Sequence, residues 1–228
     1  MAKTVVIAGA GDPVGIRLAK DFLSRGYNVF AAGLSGQQPC GVEGVHTLEI
    51  DPMSQASADR AAETVKTQCG AIDMLVLNYD CCPSPCSKTI LDEQDYAELM
   101  NAYEYNSIGP LRAVDAFLPL LKAGDGKRIC AVTSPASSNN ATRDFADFPG
   151  HISKAPLNMA LNQLFNGLRP EGFTFRVYCK DPKASPDRAG EFAAEYFIRN
   201  RSNEPESYKH SDENRLVMRD WMGIELPW

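Results

Sequence analysis

The first structural unit in the sequence is Thr4-Val5-Val6-Ile7-Ala8-Gly9-Ala10-Gly11-Asp12-Pro13-Val14-Gly15. Its first five residues form a short apolar run, which is typical of a strand buried on both faces. A glycine-containing turn follows. Apolar side chains then recur at helical spacing, at Ile16, Leu18, Phe22 and Leu23. A strand, a glycine turn and a helix in this order predict the first unit of a parallel sheet covered by helices.

The same alternation of strand and helix continues along the chain. Gly26 ends the first helix. Further strands are predicted at 27–32, 45–50, 73–77, 127–133, 174–179 and 215–219, and helices at 14–24, 54–69, 92–121, 153–168 and 186–199. Apolar strands separated by helices predict one doubly wound α/β domain over residues 1–228. We expect a mostly parallel seven-stranded sheet with helices on both faces.

Composition narrows the possible classes of function. The 228 residues are 44% hydrophobic and 23% charged, which suffices for one substantial core. The formal charge of −6 argues against nucleic acid and anionic membranes as partners. The sequence contains no apolar run of about 18 residues and no signal-peptide pattern. Seven cysteines without a secretion signal predict reduced thiols in a cytoplasmic protein.

A cysteine-rich loop raises the question of a metal. Cys81, Cys82 and Cys86 place three thiols within a segment of six residues. A structural zinc site needs four ligands, usually in two spaced pairs, and no histidine or fourth cysteine lies close in sequence. We therefore predict no metal. The prolines between these thiols indicate a rigid connection, with a reactive thiol at the mouth of a cleft as the alternative.

The glycine turn is a candidate dinucleotide site. Glycines allow a tight turn and bring backbone N–H groups at a helix N-terminus against a pyrophosphate. The residues predicted to contact the cofactor here are Gly9, Gly11, Val14 and Gly15. Two neighbours oppose this interpretation: Pro13 lacks an N–H, and Asp12 places a negative charge where phosphates approach. An ordinary helix start is the alternative, because proline is comfortable in the first turn of a helix.

The turn resembles the Thr-Gly-x-x-x-Gly-x-Gly motif of the short-chain dehydrogenase/reductase family. Gly9 and Gly15 match it, and Pro13 replaces the middle glycine. The resemblance runs from Lys3 to Trp228, and residues 218–228 resemble the closing strand and tail of C-factor-like members. It implies a Rossmann-type fold, NAD(P) as cofactor and a small-molecule substrate. Two long helices pair across a twofold axis in many relatives, so we also expect a homodimer.

The resemblance assigns roles to residues along one cleft. Asp51 follows the third strand and is expected to touch the adenine, while Asn78 is expected to lie beside the cofactor ribose. Asn106 corresponds to the asparagine that holds a water in a proton relay. Ser134 corresponds to the catalytic serine, and Lys154 to the lysine that binds the nicotinamide ribose. The second strand ends in residues 31–35 with neither an acidic nor a basic side chain, so the sequence does not distinguish NAD from NADP.

Several positions of this cleft depart from the family pattern. Gly150 stands where the family has its catalytic tyrosine, four residues before the lysine. Tyr79 and Asp80 replace the small residues that let the cofactor ribose approach. Pro182, a predicted cofactor contact, is followed by Lys183 instead of the family's glycine. The chain then leads almost directly into a helix, so the substrate lid after Pro182 is expected to be shortened.

Two residues are candidates for the missing acid. His151 lies three residues before Lys154, near the same helix face, and histidine titrates in the useful range. A solvent-facing histidine at the start of the helix is the alternative. Tyr79 follows a strand at the edge where ligands bind in such sheets. Its alternative is a plug that fills the vacated nicotinamide space.

Three functions are compatible with this pattern. The first is an atypical oxidoreductase that transfers hydride from a nicotinamide cofactor to a small organic substrate without the tyrosine acid; an iminium acceptor would need no proton donor. The second is an enzyme with non-redox chemistry, an isomerase, cyclase or lyase. The third is a noncatalytic binding or scaffold protein. Asn106, Ser134 and Lys154 favour the first two functions. Tyr79, Pro13 and the shortened lid favour the last two.

Overall fold

The first strand–turn–helix unit folds as the sequence predicts. The computed structural model describes residues 2–34, 41–80, 88–142, 147–181, 183–208 and 210–228. Strand β1 spans Thr4–Ala8 and helix α1 spans Pro13–Ser24. Pro13 occupies the first turn of α1, where a missing N–H leaves no helical hydrogen bond unmade. The carboxylate of Asp12 caps the helix by accepting a hydrogen bond from the Gly15 N–H at 2.7 Å.

The strands form a single sheet. After β1 come β2 (Asn28–Gly33), β3 (His46–Glu49), β4 (Met74–Leu77), β5 (Arg128–Thr133), β6 (Thr174–Cys179), β7 (Met218–Arg219) and β8 (Glu225–Leu226). Their order across the sheet is β3-β2-β1-β4-β5-β6-β7-β8. Among the strands of the described ranges, neighbouring pairs are parallel except for the antiparallel pair β7–β8. The prediction of a mostly parallel sheet is confirmed, but the described residues form eight strands and not seven, because a turn at Gly223, with φ of 78°, folds the chain back as β8.

The helices differ from the prediction at two places. They are α2 (Gln55–Cys69), α3 (Tyr96–Tyr103), α4 (Gly109–Ala123), α5 (Phe148–Leu168) and α6 (Pro186–Ile198). The single helix predicted at 92–121 is in fact α3 and α4, separated by one π-helical turn at Glu104–Ile108. Helix α5 starts before the predicted Ser153, because Asp147 caps it and Pro149 fits its first turn. Pro156 therefore lies inside α5 and not in its first turn.

Two apolar layers cover the sheet, which explains the uninterrupted apolar runs of the strands. One face packs against α2, α4 and α5, with Phe117 and Leu161 fully or almost fully buried. The other face packs against α1 and α6, through Leu18, Phe22 and Phe197. The connection from β6 to α6 is short, since β6 ends at Cys179 and α6 begins at Pro186.

A buried ion network ties the segment after α6 to the sheet. The Arg176 side chain on β6 is fully buried and pairs with Glu213 at 2.5 Å and Glu204 at 3.2 Å. Arg128, at the start of β5, also reaches Glu213 at 2.5 Å. Because a buried guanidinium needs a counter-charge, these carboxylates fix the course of the chain between α6 and β7.

Some predictions fall on other parts of the chain. Pro182 and the cysteines between Cys81 and Cys86 lie outside the described residues. The organisation as one domain over residues 1–228 stays a prediction. Within the described ranges, no helix is long and apolar enough to cross a membrane.

Candidate active site

The site lies where the sheet reverses its winding direction. β1 has β2 on one side and β4 on the other, and ligands of such sheets bind beyond the carboxyl ends of the strands at this point. Gly9 has φ of 89°, and a Cβ there would lie 2.1 Å from the Asn78 carbonyl oxygen. The Asn78 amide donates hydrogen bonds to the Gly9 carbonyl at 2.8 Å and to Asp12 Oδ1 at 2.7 Å. Glycine at position 9 therefore allows the turns after β1 and β4 to touch, and Asn78 locks them together.

An outer pocket of about 200 Å³ opens beside these turns. Its walls are the two turns, the end of β2 and the start of the segment after β3. The residues that line it include Gly9, Gly11, Asp12, Gly33, Leu34 and Tyr105. The Asp12 carboxylate is already bonded to an N–H of the α1 N-terminus, so it takes a place that a phosphate would use.

The predicted cofactor contacts divide into two groups. Gly9, Gly11 and Asn78 line the outer pocket. Val14 and Gly15 are buried at the start of α1 and do not line it. Asp51 is half-buried and caps its own turn, where its Oδ1 accepts a hydrogen bond from the Met53 N–H at 2.9 Å. Asp51 does not line the outer pocket, and its expected contact with adenine stays a prediction.

An inner cavity continues from the outer pocket between β4, β5 and α5. Three residues line both spaces: Asn78, Tyr79 and Asp80. The inner cavity adds Asn106, Ser134 and Lys154, so the structure brings the three predicted polar residues together. Its volume is about 10 Å³. That is room for about one water molecule.

Two hydroxyl groups lining the inner cavity are buried and unsatisfied. Neither Ser134 Oγ nor the Tyr79 hydroxyl has a hydrogen-bond partner within the described part of the chain. The Tyr79 ring packs edge-to-face on Tyr105 at 5.9 Å, and burial raises the pKa of its phenol. An unsatisfied buried polar group costs about 1–3 kcal/mol, and native proteins often keep such a group where it serves binding or catalysis.

Asn106 is positioned by the π-helical turn between α3 and α4. Its Nδ2 donates a hydrogen bond to Ser153 Oγ at 2.9 Å, and Ser107 Oγ donates to the Ser153 carbonyl at 2.7 Å. These bonds attach the turn to α5. Single π-helical turns occur often at functional sites, because they rotate one side chain relative to the rest of the helix.

Lys154 is engaged by a carboxylate that the sequence did not single out as its partner. Lys154 Nζ lies 2.5 Å from Asp80 Oδ1, and the other oxygen of Asp80 pairs with Lys180. Within the described residues, no phenol is bonded to this ammonium group. Burial acts to raise the pKa of the Asp80 carboxyl, but the two ammonium groups outweigh it and hold the pKa below its ordinary value. We name this arrangement of Asp80, Lys154 and Lys180 the ion clamp.

The space at Gly150 is taken by another acid. A Cβ on Gly150 would lie 2.1 Å from Asp147 Oδ2, and Asp147 Oδ1 accepts a hydrogen bond from the Gly150 N–H at 3.1 Å. Burial raises the pKa of Asp147, although Lys154 acts in the opposite direction. The ring nitrogens of His151 contact Thr142 Oγ1 at 2.9 Å and the Asp147 carbonyl at 2.8 Å. His151 lines neither the outer pocket nor the inner cavity, so the structure does not bring it to the site.

Comparisons with known proteins agree with this geometry. The family model described as short chain dehydrogenase matches residues 3–179. The C-signal of Myxococcus xanthus is 32% identical over 163 residues, covering 70% of this chain and 94% of that protein. An uncharacterized oxidoreductase of Schizosaccharomyces pombe is 31% identical over 182 residues, covering 76% and 70%. The NADPH-bound carbonyl reductase from chicken fatty liver has a TM-score of 0.82 at 18% identity, covering 100% and 94%, which shows likeness of fold.

Proposed function

The chain belongs to the short-chain dehydrogenase family, and we propose that it is an atypical oxidoreductase that reduces a small organic substrate with a nicotinamide cofactor. The absence of a tyrosine at Gly150 makes it atypical. One observation carries the proposal: Asn106, Ser134 and Lys154 line one cavity at the ligand-binding edge of the sheet. The S. pombe relative, named an oxidoreductase, supports the same activity class.

The residues of the site fit one half of such a cofactor well. The outer pocket of about 200 Å³, with glycine at positions 9, 11 and 33, suits the adenosine half. Asp12 disfavours the phosphates by charge. The nicotinamide half needs the inner cavity, which is far too small while Asp80 stays bonded to Lys154. Opening of the ion clamp is therefore part of the proposal, and we assign no preference between NAD and NADP.

The chain's own groups would act on the substrate as follows. When bound, a reduced nicotinamide supplies the hydride. The unsatisfied Ser134 hydroxyl donates a hydrogen bond to the heteroatom bonded to the carbon that receives hydride, and the positive charge of Lys154 stabilises the negative charge that develops on that heteroatom. The Tyr79 phenol lines the same cavity, and its raised pKa keeps it protonated, so it can donate a hydrogen bond but is a weak acid. A substrate that needs no proton, such as an iminium, does not depend on the missing tyrosine acid.

Cofactor titration tests the proposal directly. Addition of the purified protein to NADPH or NADH should change the fluorescence of the reduced nicotinamide. Lys154→Ala should abolish that change if the lysine holds the ribose. An iminium substrate should be reduced faster than a ketone of similar shape. A protein that gives no fluorescence response at millimolar concentrations of either cofactor, with its fold intact, would disprove the oxidoreductase.

The closed cavity favours a second candidate function. With Tyr79 and the ion clamp filling the nicotinamide space, the site suits non-redox chemistry or a noncatalytic binding role. A non-redox isomerase, cyclase or lyase keeps its turnover after the exhaustive removal of cofactor. A scaffold protein keeps its role when Ser134→Ala and Lys154→Ala are combined. Either result replaces the first candidate.

The setting of the protein is also part of the proposal. We propose a homodimer acting on a small molecule in the cytoplasm. Apolar side chains on α3 and α5 support the dimer, because Tyr96, Met100 and Met159 are all more than half exposed. Exposed apolar side chains on neighbouring helices are commonly covered by a partner. Sedimentation equilibrium of the wild type and of Met159→Lys tests this, since a monomeric wild type contradicts it.

A further inference from the structure

The ion clamp joins three elements that surround the cleft. Asp80 lies in the turn after β4, Lys154 on α5, and Lys180 directly after β6. The carboxylate contacts both ammonium groups at once, one with each oxygen. The side chains of Lys154 and Lys180 are 12% and 21% exposed, so the pairs are largely withdrawn from water. Charge pairs in this position are screened much less than pairs on the open surface.

The clamp also divides the cleft into two unequal parts. The outer pocket of about 200 Å³ is accessible while the clamp is closed, although Asp80 forms part of its wall. The inner cavity of about 10 Å³ is bounded by Asp80, Lys154 and Lys180 themselves. A ligand that ends in the outer pocket therefore leaves the clamp intact. A ligand that extends to Lys154 has to displace the Asp80 carboxylate from it.

We propose that Asp80 is a specificity-determining residue, whose carboxylate competes with the nicotinamide end of a dinucleotide for Lys154. This inference rests on the proposed function, because it assumes that a dinucleotide enters the cleft. Competition for Lys154 predicts a selective effect on binding, whereas a general change in the shape of the cleft would affect all ligands. Removing the carboxylate strengthens the binding of full dinucleotides and leaves the binding of their adenosine half almost unchanged.

Asp12 provides a matched control. Like Asp80 it places a carboxylate in the wall of the outer pocket, but its bonds are to the Gly15 N–H and to the Asn78 amide, and not to a lysine. Asp12→Asn removes the same charge from the same pocket and keeps a side chain that caps helices well. An effect that comes only from removing a negative charge should change the affinities of ADP and of the dinucleotide by the same factor, in Asp12→Asn as in Asp80→Asn.

The experiment measures the affinities of ADP, NADH and NADPH for the wild type, Asp80→Asn, Asp80→Glu and Asp12→Asn by calorimetry, and NADH takes the place of NADPH in the comparison if the wild type prefers it. Circular dichroism and urea unfolding show that each variant is folded. For Asp80→Asn we expect NADPH to bind about tenfold more tightly, which is about 1.4 kcal/mol, and ADP to change by less than about threefold. Asp80→Glu keeps the charge and should stay close to the wild type. Asp12→Asn should strengthen ADP and NADPH by the same factor.

The outcomes separate this inference from the proposed function. Equal strengthening of ADP and NADPH by Asp80→Asn overturns the inference, as does unchanged NADPH affinity in a wild type that binds it; the oxidoreductase then stands. Binding of ADP without either NADH or NADPH in both the wild type and Asp80→Asn overturns both proposals, and so does a protein that binds none of the three ligands. NADPH binding that appears only in Asp80→Asn supports the inference and explains a wild type of low cofactor affinity.

Discussion

Asp147→Ala and Gly150→Ala, made singly and together, should be strongly non-additive in the free energy of unfolding. Asp147 caps α5 through the Gly150 N–H, and a Cβ on Gly150 would overlap its carboxylate. Loss of a helix cap costs about 1 kcal/mol. Alanine in place of a helical glycine gains about 0.5–1 kcal/mol. In the wild-type background, Gly150→Ala loses the energy of the cap and gains the energy of the better helix former. The net effect should be a destabilisation of about 0–0.5 kcal/mol.

The double variant isolates the contact. Once Asp147→Ala has removed the cap, Gly150→Ala only gains helix propensity and should stabilise by about 0.5–1 kcal/mol. The coupling energy is then about 1 kcal/mol, above the scatter of about 0.3–0.5 kcal/mol for independent sites. Urea unfolding with a constant slope gives all four free energies. Asp147→Asn is the control, since asparagine caps equally well and accepts the left-handed backbone at φ of 54°. A coupling below about 0.3 kcal/mol refutes the overlap and implies that position 150 has room for a side chain.

Three further predictions concern buried polar groups. Asp80→Asn should destabilise by about 1–2 kcal/mol at neutral pH. Because the folded-state pKa of Asp80 is lowered, that difference should begin to shrink at about pH 4, the ordinary pKa of the carboxyl, and disappear as the pH falls through the lower folded-state pKa in pH-dependent urea unfolding. Tyr79→Phe removes an unsatisfied hydroxyl, so thermal unfolding should show a stability that is unchanged or higher by up to about 1 kcal/mol. Tyr196→Phe removes the hydrogen bond that this phenol donates to the buried Asp212 carboxylate, so the protein should lose about 1 kcal/mol of stability. Glu213→Ala leaves Arg176 buried without its nearest counter-charge and should cost about 3 kcal/mol in urea unfolding, so a cost under about 1 kcal/mol contradicts the network.

The parts of the fold that the sequence predicts are those with a strong local pattern. The strand Thr4–Ala8 and the helix Pro13–Ser24 follow from an apolar run, a glycine turn and helical spacing. The strand Glu225–Leu226 was missed because two residues carry no periodicity, and only the turn at Gly223 creates it. The π-helical turn at Glu104–Ile108 was missed for a related reason, since its residues continue a helical pattern without a break.

The start of helix α5 is difficult to predict from the sequence because the residue before it has an unusual backbone conformation. Asp147 has φ of 54°, and a left-handed non-glycine residue before a helix leaves no mark in the sequence. The Asp-x-x-Gly spacing, with proline between, is the one local signal for a capped start. A helix that begins at this signal has the Asp147 carboxylate beside Gly150. It also has Pro156 in its interior, as the structure shows.

The sequence predicts which residues line the candidate site, but it does not predict that an ion pair closes the inner cavity. Family motifs in the sequence identify Asn106, Ser134 and Lys154, and a parallel sheet places its ligand-binding residues at the carboxyl edge of the strands. Asp80 and Lys180 also follow neighbours of β5 on its two sides, β4 and β6, so their proximity follows from the strand order. That Asp80 bonds Lys154 and reduces the inner cavity to about 10 Å³ depends on side-chain conformations, which no spacing encodes. For the proposed oxidoreductase, the glycine at position 150 and the closed cavity are therefore separate questions: the first concerns the source of the proton, whereas the second concerns whether a cofactor can reach Lys154. If that proposal holds, Gly150→Tyr should not produce carbonyl reduction while the ion clamp stays closed, because Tyr79 and Asp80 leave no room for a nicotinamide beside Lys154.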